Sequence, residues 1–491
     1  MQHSHDTEKG SSTEQERHQI EEVALAGHAA TDIHGHSLVE IDEKAEAALR
    51  WKIDIRILPT IALLYLFCAR LAGLEKDLKM TGKYDYNILL TSFYVAYVVF
   101  EIPCNYICKV VGPGKFIPIL SFCFGLFSLA MAFVKSFGAG IAVRFLLGVA
   151  EAGVFPGMAF YLSRWYRKDE LGFRLAFYIV CAPLAGAFGG LLASGLLKAP
   201  SFGMIHTWRI FFFAEGIITM GIAAISYPLL TDRPETAKWL SAEEKALCAA
   251  RTKSENVGSV VVVDEAKSKV FMSGMFNTNS LVIALIFLLD NITVQGLGFF
   301  LPTIVRTIFP RKSTIELQLR TTPPYIVGAV ISLVLPYLSW KTGRRALWMT
   351  VSAPLMIIGY AMFVASTNPQ VRYAACFLIA SAAFSFGSFC NTWAAINTTS
   401  DTARAGAIAI TVFGGNLGGL VATYAPNQIP GNSLNLATSS LILLLTLGLW
   451  AWQKRENKRH NEGRMDHVLE GKSDDEIAML GQHHPGFRYR H

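Results

Sequence analysis

Twelve apolar runs, six on either side of a hydrophilic centre, restrict what this chain can fold into more than any other feature of its sequence. The runs fall near residues 57–69, 87–108, 116–134, 138–162, 173–197 and 209–230, and then 280–305, 322–339, 346–366, 371–396, 405–425 and 433–452. Residues 231–275, between the sixth and the seventh, are polar. A bilayer core about 30 Å thick takes about 20 residues of α-helix to cross, and only helices or closed barrels satisfy the backbone inside it. These runs are continuously apolar rather than alternating, which speaks against barrel strands. The expectation is an all-α membrane protein of twelve spans in two six-helix halves. Its parts are a disordered tail over 1–50, a first half over 51–230, a central loop over 231–275, a second half over 276–452 and a tail over 453–491. Composition agrees. Charged residues make up 16% of the 491, against about 25% in soluble domains, which excludes an ordinary soluble enzyme and a largely disordered chain.

The first run is short. Thirteen residues rise about 20 Å, less than the bilayer core, and extension to Leu74 gives about 27 Å with Arg70 snorkelling outward. Loop charges set the orientation. With both termini inside, the inner loops and tails hold 31 Lys and Arg and the outer loops 11, counting Arg174 and Arg372 in the loops they border. That excess places both termini in the cytosol. It also accounts for the net charge of +7 without nucleic acid, for which no motif is present.

Several chemistries lack their residues. Gly112-Pro113-Gly114-Lys115 resembles a phosphate loop only faintly, because the leading Gly at the required spacing and a Ser or Thr after Lys115 are missing. There is no Gly-x-Ser-x-Gly elbow and no His-Glu-x-x-His helix. The chain is therefore expected not to be an enzyme and to need no cofactor, with any transport driven by an ion gradient. The eight cysteines show no C-x-x-C spacing and read as small packing residues.

Charge inside a membrane is costly and normally faces a cavity or a partner. The fourth run carries Arg144 and Glu151, seven residues apart, nearly on one helix face and separated by about 10 Å along the axis. Arg144 stays charged and can hold a carboxylate through two parallel bonds. Glu151 can take up a proton. The alternative for both is a structural ion pair. The second run places Tyr94, Tyr97 and Glu101 on one face: Tyr97 can donate to an anion, and Glu101 can exchange a proton or brace the inner helix end near Lys109 and Lys115. In the seventh run Asp290, Asn291 and Gln295 are polar, and in the tenth Ser385, Ser388, Asn391, Trp393 and Asn397. Gln295 and Asn391 are the candidates for substrate contact, with polar bonding between helices as the plainer role.

These residues resemble the major facilitator superfamily. Lys109-Val-Val-Gly112-Pro113-Gly-Lys115 is similar to its cytoplasmic signature, as is Trp340-Lys341-Thr-Gly343-Arg344-Arg345, with Trp340 in place of the usual acid. More closely, the chain looks like the fungal anion:cation symporters of the allantoate-permease type, particularly the nicotinate permeases. That resemblance rests on Leu71-Ala-Gly-Leu-Glu-Lys-Asp-Leu78, Phe100-Glu-Ile-Pro103, the segment from Arg144 to Gly153, Tyr161-Leu-Ser-Arg-Trp-Tyr-Arg167, Val294-Gln-Gly-Leu-Gly-Phe-Phe-Leu-Pro302, Glu316-Leu-Gln-Leu-Arg320 and Ser400-Asp-Thr-Ala-Arg404. It implies a 6+6 fold that takes up small carboxylates with protons, with Arg144 and Tyr97 at the substrate carboxylate and Glu151 in proton coupling. One departure stands out: Leu66-Phe67-Cys68 runs directly into Ala69-Arg70, where the family carries an Asp-Arg pair and an Asn-Ile-Gly stretch.

The resulting expectation is a monomeric, multi-pass symporter of a small organic carboxylate and protons. It uses Arg144, Tyr97, Gln295 and Asn391 for substrate and Glu151 and Glu101 for protons, and sits in the plasma membrane, with the vacuolar membrane as the alternative. The competing expectations are a pH-independent facilitator and a non-transporting sensor or defective relative.

Overall fold

The computed structural model describes residues 43–66, 85–187, 208–253, 268–312, 314–424, 429–469, 471 and 480–491. The Cys68–Ala69 junction, Arg70, the 71–78 motif and the glycines at 189, 190 and 195 lie outside the described residues. Those described are helical, with no strand among them. The first half contains α1 (Glu43–Leu66), α2 (Asp85–Val111), α3 (Pro113–Met131), α4 (Phe137–Glu151), α5 (Val154–Trp165), α6 (Leu171–Ile179) and α7 (Trp208–Leu229). The central loop contributes α8 (Ala242–Lys253) and α9 (Ser268–Met275). The second half contains α10 (Thr278–Ile308), α11 (Thr314–Thr342), α12 (Arg345–Ala365), α13 (Pro369–Ile396), α14 (Asp401–Tyr424) and α15 (Ile429–Asn461).

Ten segments are long and apolar enough to cross a bilayer, one of them α4 and α5 taken together. Helix α1 and the shorter apolar segment Leu171–Ala187 occupy the first and fifth places of the twelve-run pattern. The outward faces of the spans expose large apolar side chains such as Val99 of α2, Ile225 of α7, Val330 of α11 and Leu444 of α15, as lipid-facing helices do. The two signature loops turn alike: Gly112 and Gly343 both have positive φ, 99° and 66°, a conformation glycine adopts without steric cost. Each reverses the chain between a descending and an ascending span.

Within the first half α3 packs on α7 and α2 on α4; within the second, α10 packs on α14 and α13 on α11 and α12. The eleventh run's glycines explain the α10–α14 contact. A Cβ at Gly414 would lie 2.5 Å from Ala284 O, and one at Gly415 2.6 Å from the Phe287 ring. Backbones meet where side chains are absent. The halves join along α2–α14 and where α6 meets α11 and α13.

Helix α1 begins at Glu43, inside the stretch that the sequence presents as a polar tail. Its inner turns carry a buried stripe of Leu49, Ile53 and Ile57 and ion pairs made by Glu46, Arg50 and Asp54. Residues 480–491 also pack rather than trail. Arg490 O accepts from Trp393 Nε1 at 3.2 Å and from Asn397 Nδ2 at 3.1 Å, and Asn457 exchanges two bonds with the Tyr489 backbone.

Candidate functional site

Helices α2 and α14 run antiparallel and meet at three levels. At the outer end Asn87 Nδ2 donates to Thr423 O at 2.8 Å, and Thr91 Oγ1 lies 2.6 Å from Tyr424 Oη. At mid-depth Asn416 Nδ2 donates to Glu101 Oε2 at 2.9 Å. At the inner end Asn105 Nδ2 donates to Ala405 O at 2.7 Å. Glu101 is fully buried, and its Oε1 makes no hydrogen bond among the described residues. It faces the other half rather than Lys109 and Lys115.

Gln295 reaches the same seam from α10. A Cβ at Gly419 would lie 2.8 Å from Tyr94 Cε1 and 3.3 Å from Gln295 Cγ, so these two side chains flank a glycine that leaves them room. Tyr94 and Gln295 therefore meet at Gly419, and the Glu101–Asn416 pair lies on the same seam about 10 Å farther along α2. Tyr97 diverges from Tyr94: it is buried against Cys104 and Ala152, edge-on to Phe93 at 5.7 Å. That places it beside the end of α4, near Glu151. The helix breaks there, with α4 ending at Glu151 and α5 starting at Val154. The fourth span is thus two segments with the half-buried Glu151 at the joint.

Arg144 stands apart from this group, about two turns into α4 from Phe137. Its Cζ lies 5.4 Å over the Phe212 ring of α7, a cation–π geometry. Its Nε is buried and makes no hydrogen bond among the described residues. Asn391 on α13 is fully buried; its Nδ2 donates to Gly387 O at 2.8 Å, while Oδ1 has no partner among the described residues. It lies one turn below Gly387, where a Cβ would sit 3.6 Å from Ile179 of α6, close to the line between the halves.

Asn416 was not singled out from the sequence. Its signal is a lone amide inside the glycine-rich Gly414–Gly419 stretch of an otherwise apolar run.

The end of the bundle that carries the two signature loops is closed by charge. Arg164, its side chain 3% exposed, lies 3.5 Å from Asp401 Oδ2 and 3.7 Å from Asp232 Oδ2. Asp232 Oδ1 accepts from Gly114 N at 3.2 Å. Arg404 Nη1 donates to Ser163 O at 3.0 Å and to Asp401 Oδ1 at 3.1 Å. Arg345 Nη2 donates to Lys168 O at 2.8 Å. Trp340, where the signature has an acid, stacks on Phe173 at 5.7 Å and lies 4.6 Å under the Arg174 guanidinium, so an aromatic holds α6 to α11. Outside the spans, burial works to raise the Glu46 carboxyl, but bonds and charge from Arg167 and Arg251 outweigh it and hold the group below its ordinary value. Burial pushes the Cys248 thiol up to about 11, in keeping with a packing role.

The profile of the Major Facilitator Superfamily matches residues 60–423. An uncharacterized transporter of Schizosaccharomyces pombe is 31% identical over 446 residues, covering 86% of each chain. The high-affinity nicotinic acid transporter of Saccharomyces cerevisiae is 29% identical over 426 residues, 83% of this chain and 78% of that one. Among solved structures, the proton:xylose symporter bound to 6-bromo-6-deoxy-D-glucose superposes with a TM-score of 0.65 at 14% identity, over 82% of this chain and 96% of that one; at that identity the likeness concerns the fold.

Proposed function

We propose that this chain, which belongs to the Major Facilitator Superfamily, carries a small organic carboxylate across the membrane together with protons, by alternating access between its two halves. Membership makes it a multi-pass membrane transporter and not an enzyme. The carboxylate and the proton are our reading.

The observation that carries it is Arg144. Its guanidinium lies in the outer part of a span and over an aromatic ring, and it forms no ion pair with a described residue. A permanent cation held within a membrane calls for an anion, and a planar fork beside a ring suits a planar aromatic acid. The kinship with a nicotinic acid transporter supports that substrate class. Tyr97, Gln295 and Asn391 complete the polar lining, and Glu101 and Glu151 exchange protons.

Energetics favour co-transport. A monovalent anion entering a cell against about 100 mV is opposed by about 2.3 kcal/mol. One proton cancels that charge, and each unit of inward acid gradient adds about 1.4 kcal/mol. We place the protein in the plasma membrane with both termini in the cytosol, in line with the loop-charge excess.

The test is uptake of labelled nicotinate by cells expressing the full chain, at about pH 5 and about pH 7.5 outside. Faster uptake at the acid pH is expected. Equal rates would identify a pH-independent facilitator. Surface expression without binding or flux of any carboxylate would identify a non-transporting relative.

A further inference from the structure

Asp290 sits midway along α10, fully buried, and neither of its carboxyl oxygens makes a hydrogen bond among the described residues. Its neighbours in sequence turn elsewhere. Asn291 abuts Gly415, with Nδ2 3.0 Å from the position of a Cβ there, and Gln295 abuts Gly419. Five residues of helix rotate Asp290 about 140° away from Gln295, off the seam and into the interior of the second half.

The ionisable groups that sense its charge are Tyr360 of α12 and Cys390 of α13. Among the described residues, the other helices packed on α10 bring no opposing charge to it. Helix α14 presents glycines and α11 presents Tyr325, whose hydroxyl donates to Leu297 O. From α15, Asn435 Oδ1 accepts from Thr293 Oγ1 at 3.2 Å. No Lys or Arg acts on Asp290 among the described residues. Thr293, three residues on from Asp290, donates to Asn435, so a short polar step from α10 to α15 lies on Asp290's side of α10. It leads towards the outer end of α15.

A bare carboxylate in this setting is an unpaired charge in the dry interior of a membrane protein, an arrangement that proteins avoid by pairing or neutralising the group. Here no pairing is in place among the described residues. We propose that Asp290 is a proton-binding site of the second half. It holds a proton as the neutral acid while the halves are sealed against each other at both faces, and releases it when they rearrange and water reaches it. The bookkeeping is a single proton, taken from hydronium onto a carboxyl oxygen and returned to water, with no other bond made or broken. Because it is coupled to transport, this site rests on the symport reading and adds a carboxyl of the second half to Glu101 and Glu151 of the first.

Two measurements on the full-length chain in lipid nanodiscs and in proteoliposomes test it. Difference infrared spectroscopy of the wild type should show a protonated-carboxyl C=O stretch at neutral pH that Asp290→Asn lacks; identical spectra overturn the proposal. Asparagine has the shape of the neutral acid, so the variant should express and insert as the wild type does. Failure to insert would show that the ionised group is structural and would overturn it too. In proteoliposomes with labelled nicotinate, Asp290→Asn should keep exchange within about twofold, while accumulation driven by one pH unit falls about tenfold, the full value of that gradient. Undiminished accumulation overturns the site. A wild type that accumulates nothing in response to pH overturns the symport reading instead, and the infrared comparison then still decides whether Asp290 carries a proton.

Discussion

Arg251, in the central loop, donates from Nη2 to Glu170 Oε2 at 2.6 Å and from Nε to Glu46 Oε1 at 2.8 Å. One guanidinium thereby ties α8 to α1 and to the start of α6. Glu170 also accepts from Arg50 at 2.9 Å, and Glu46 from Arg167 at 3.0 Å. Arg251→Ala should strip both carboxylates of their most buried partner. Breaking a buried pair from one side typically costs about 3–5 kcal/mol. With Arg50 and Arg167 still in place, a loss of up to about 3 kcal/mol is expected, read as a lower unfolding midpoint of the purified protein. An unchanged midpoint would show that the network adds nothing to stability.

The same network has a pH signature. Glu46 is held below its ordinary value of 4.5, so its folded-state pKa lies beneath its unfolded one. The stabilisation it gives is fully present above the unfolded value and is lost as pH falls through the folded value. The inner end of α1 should stay protected from hydrogen exchange at neutral pH and lose protection only below about pH 4.5. Glu46→Gln should weaken that protection at neutral pH and flatten its acid dependence. Equal profiles for the two proteins would remove Glu46 from the network.

Arg144 should tolerate no substitute. Lysine keeps the charge but not the planar fork. A charge-assisted hydrogen bond is worth about 1.5–3 kcal/mol, so Arg144→Lys should cut nicotinate uptake by at least about tenfold at unchanged surface expression. Phe212→Ala should cost less, since cation–π support is worth about 0.5–2 kcal/mol. Unimpaired uptake by Arg144→Lys would take the residue out of the site.

At the seam, Glu101→Gln should preserve a partner for Asn416 and remove the titrating group. Exchange of nicotinate should survive, while the difference in uptake between acid and neutral pH should shrink. Asn416→Leu does the reverse, leaving Glu101 buried without its bond at about 1–3 kcal/mol, and should lower stability first. If the pH dependence of Glu101→Gln matches the wild type, coupling resides elsewhere.

The spans could be read from run length alone, because a bilayer demands long unbroken apolar helix and little else in a sequence satisfies it. The glycines of the eleventh run mark a close helix approach, but that α10 is the partner is known only from the packing. What escaped reading depends on partners far along the chain. Nothing near Glu43 announces that Glu46 will meet Arg167 and Arg251, and nothing near Arg490 announces Trp393 and Asn397. The shared face of Tyr94, Tyr97 and Glu101 was correctly drawn, yet a face about 60° wide spans two neighbours, α14 on one side and α4 on the other. Asp290 looked like one of three polar residues on α10, and only packing separates the seam-facing pair from the residue turned inward.

Helices α2 and α14 touch at their outer ends, at their middle and at their inner ends. In the alternating access proposed above, rocking one half against the other parts the two ends in turn, which makes the pair a balance beam with the Glu101–Asn416 bond at its pivot. Contacts on opposite arms of a beam oppose each other. Their strengths set a tilt by difference, while their sum sets how stiffly the beam rests when level. Loosening Thr91–Tyr424 and loosening Asn105–Ala405 should therefore push the resting population in opposite directions, and loosening both should return it towards level. Two such changes, each made far from any substrate, can then cancel in their effect on which side of the membrane the protein faces.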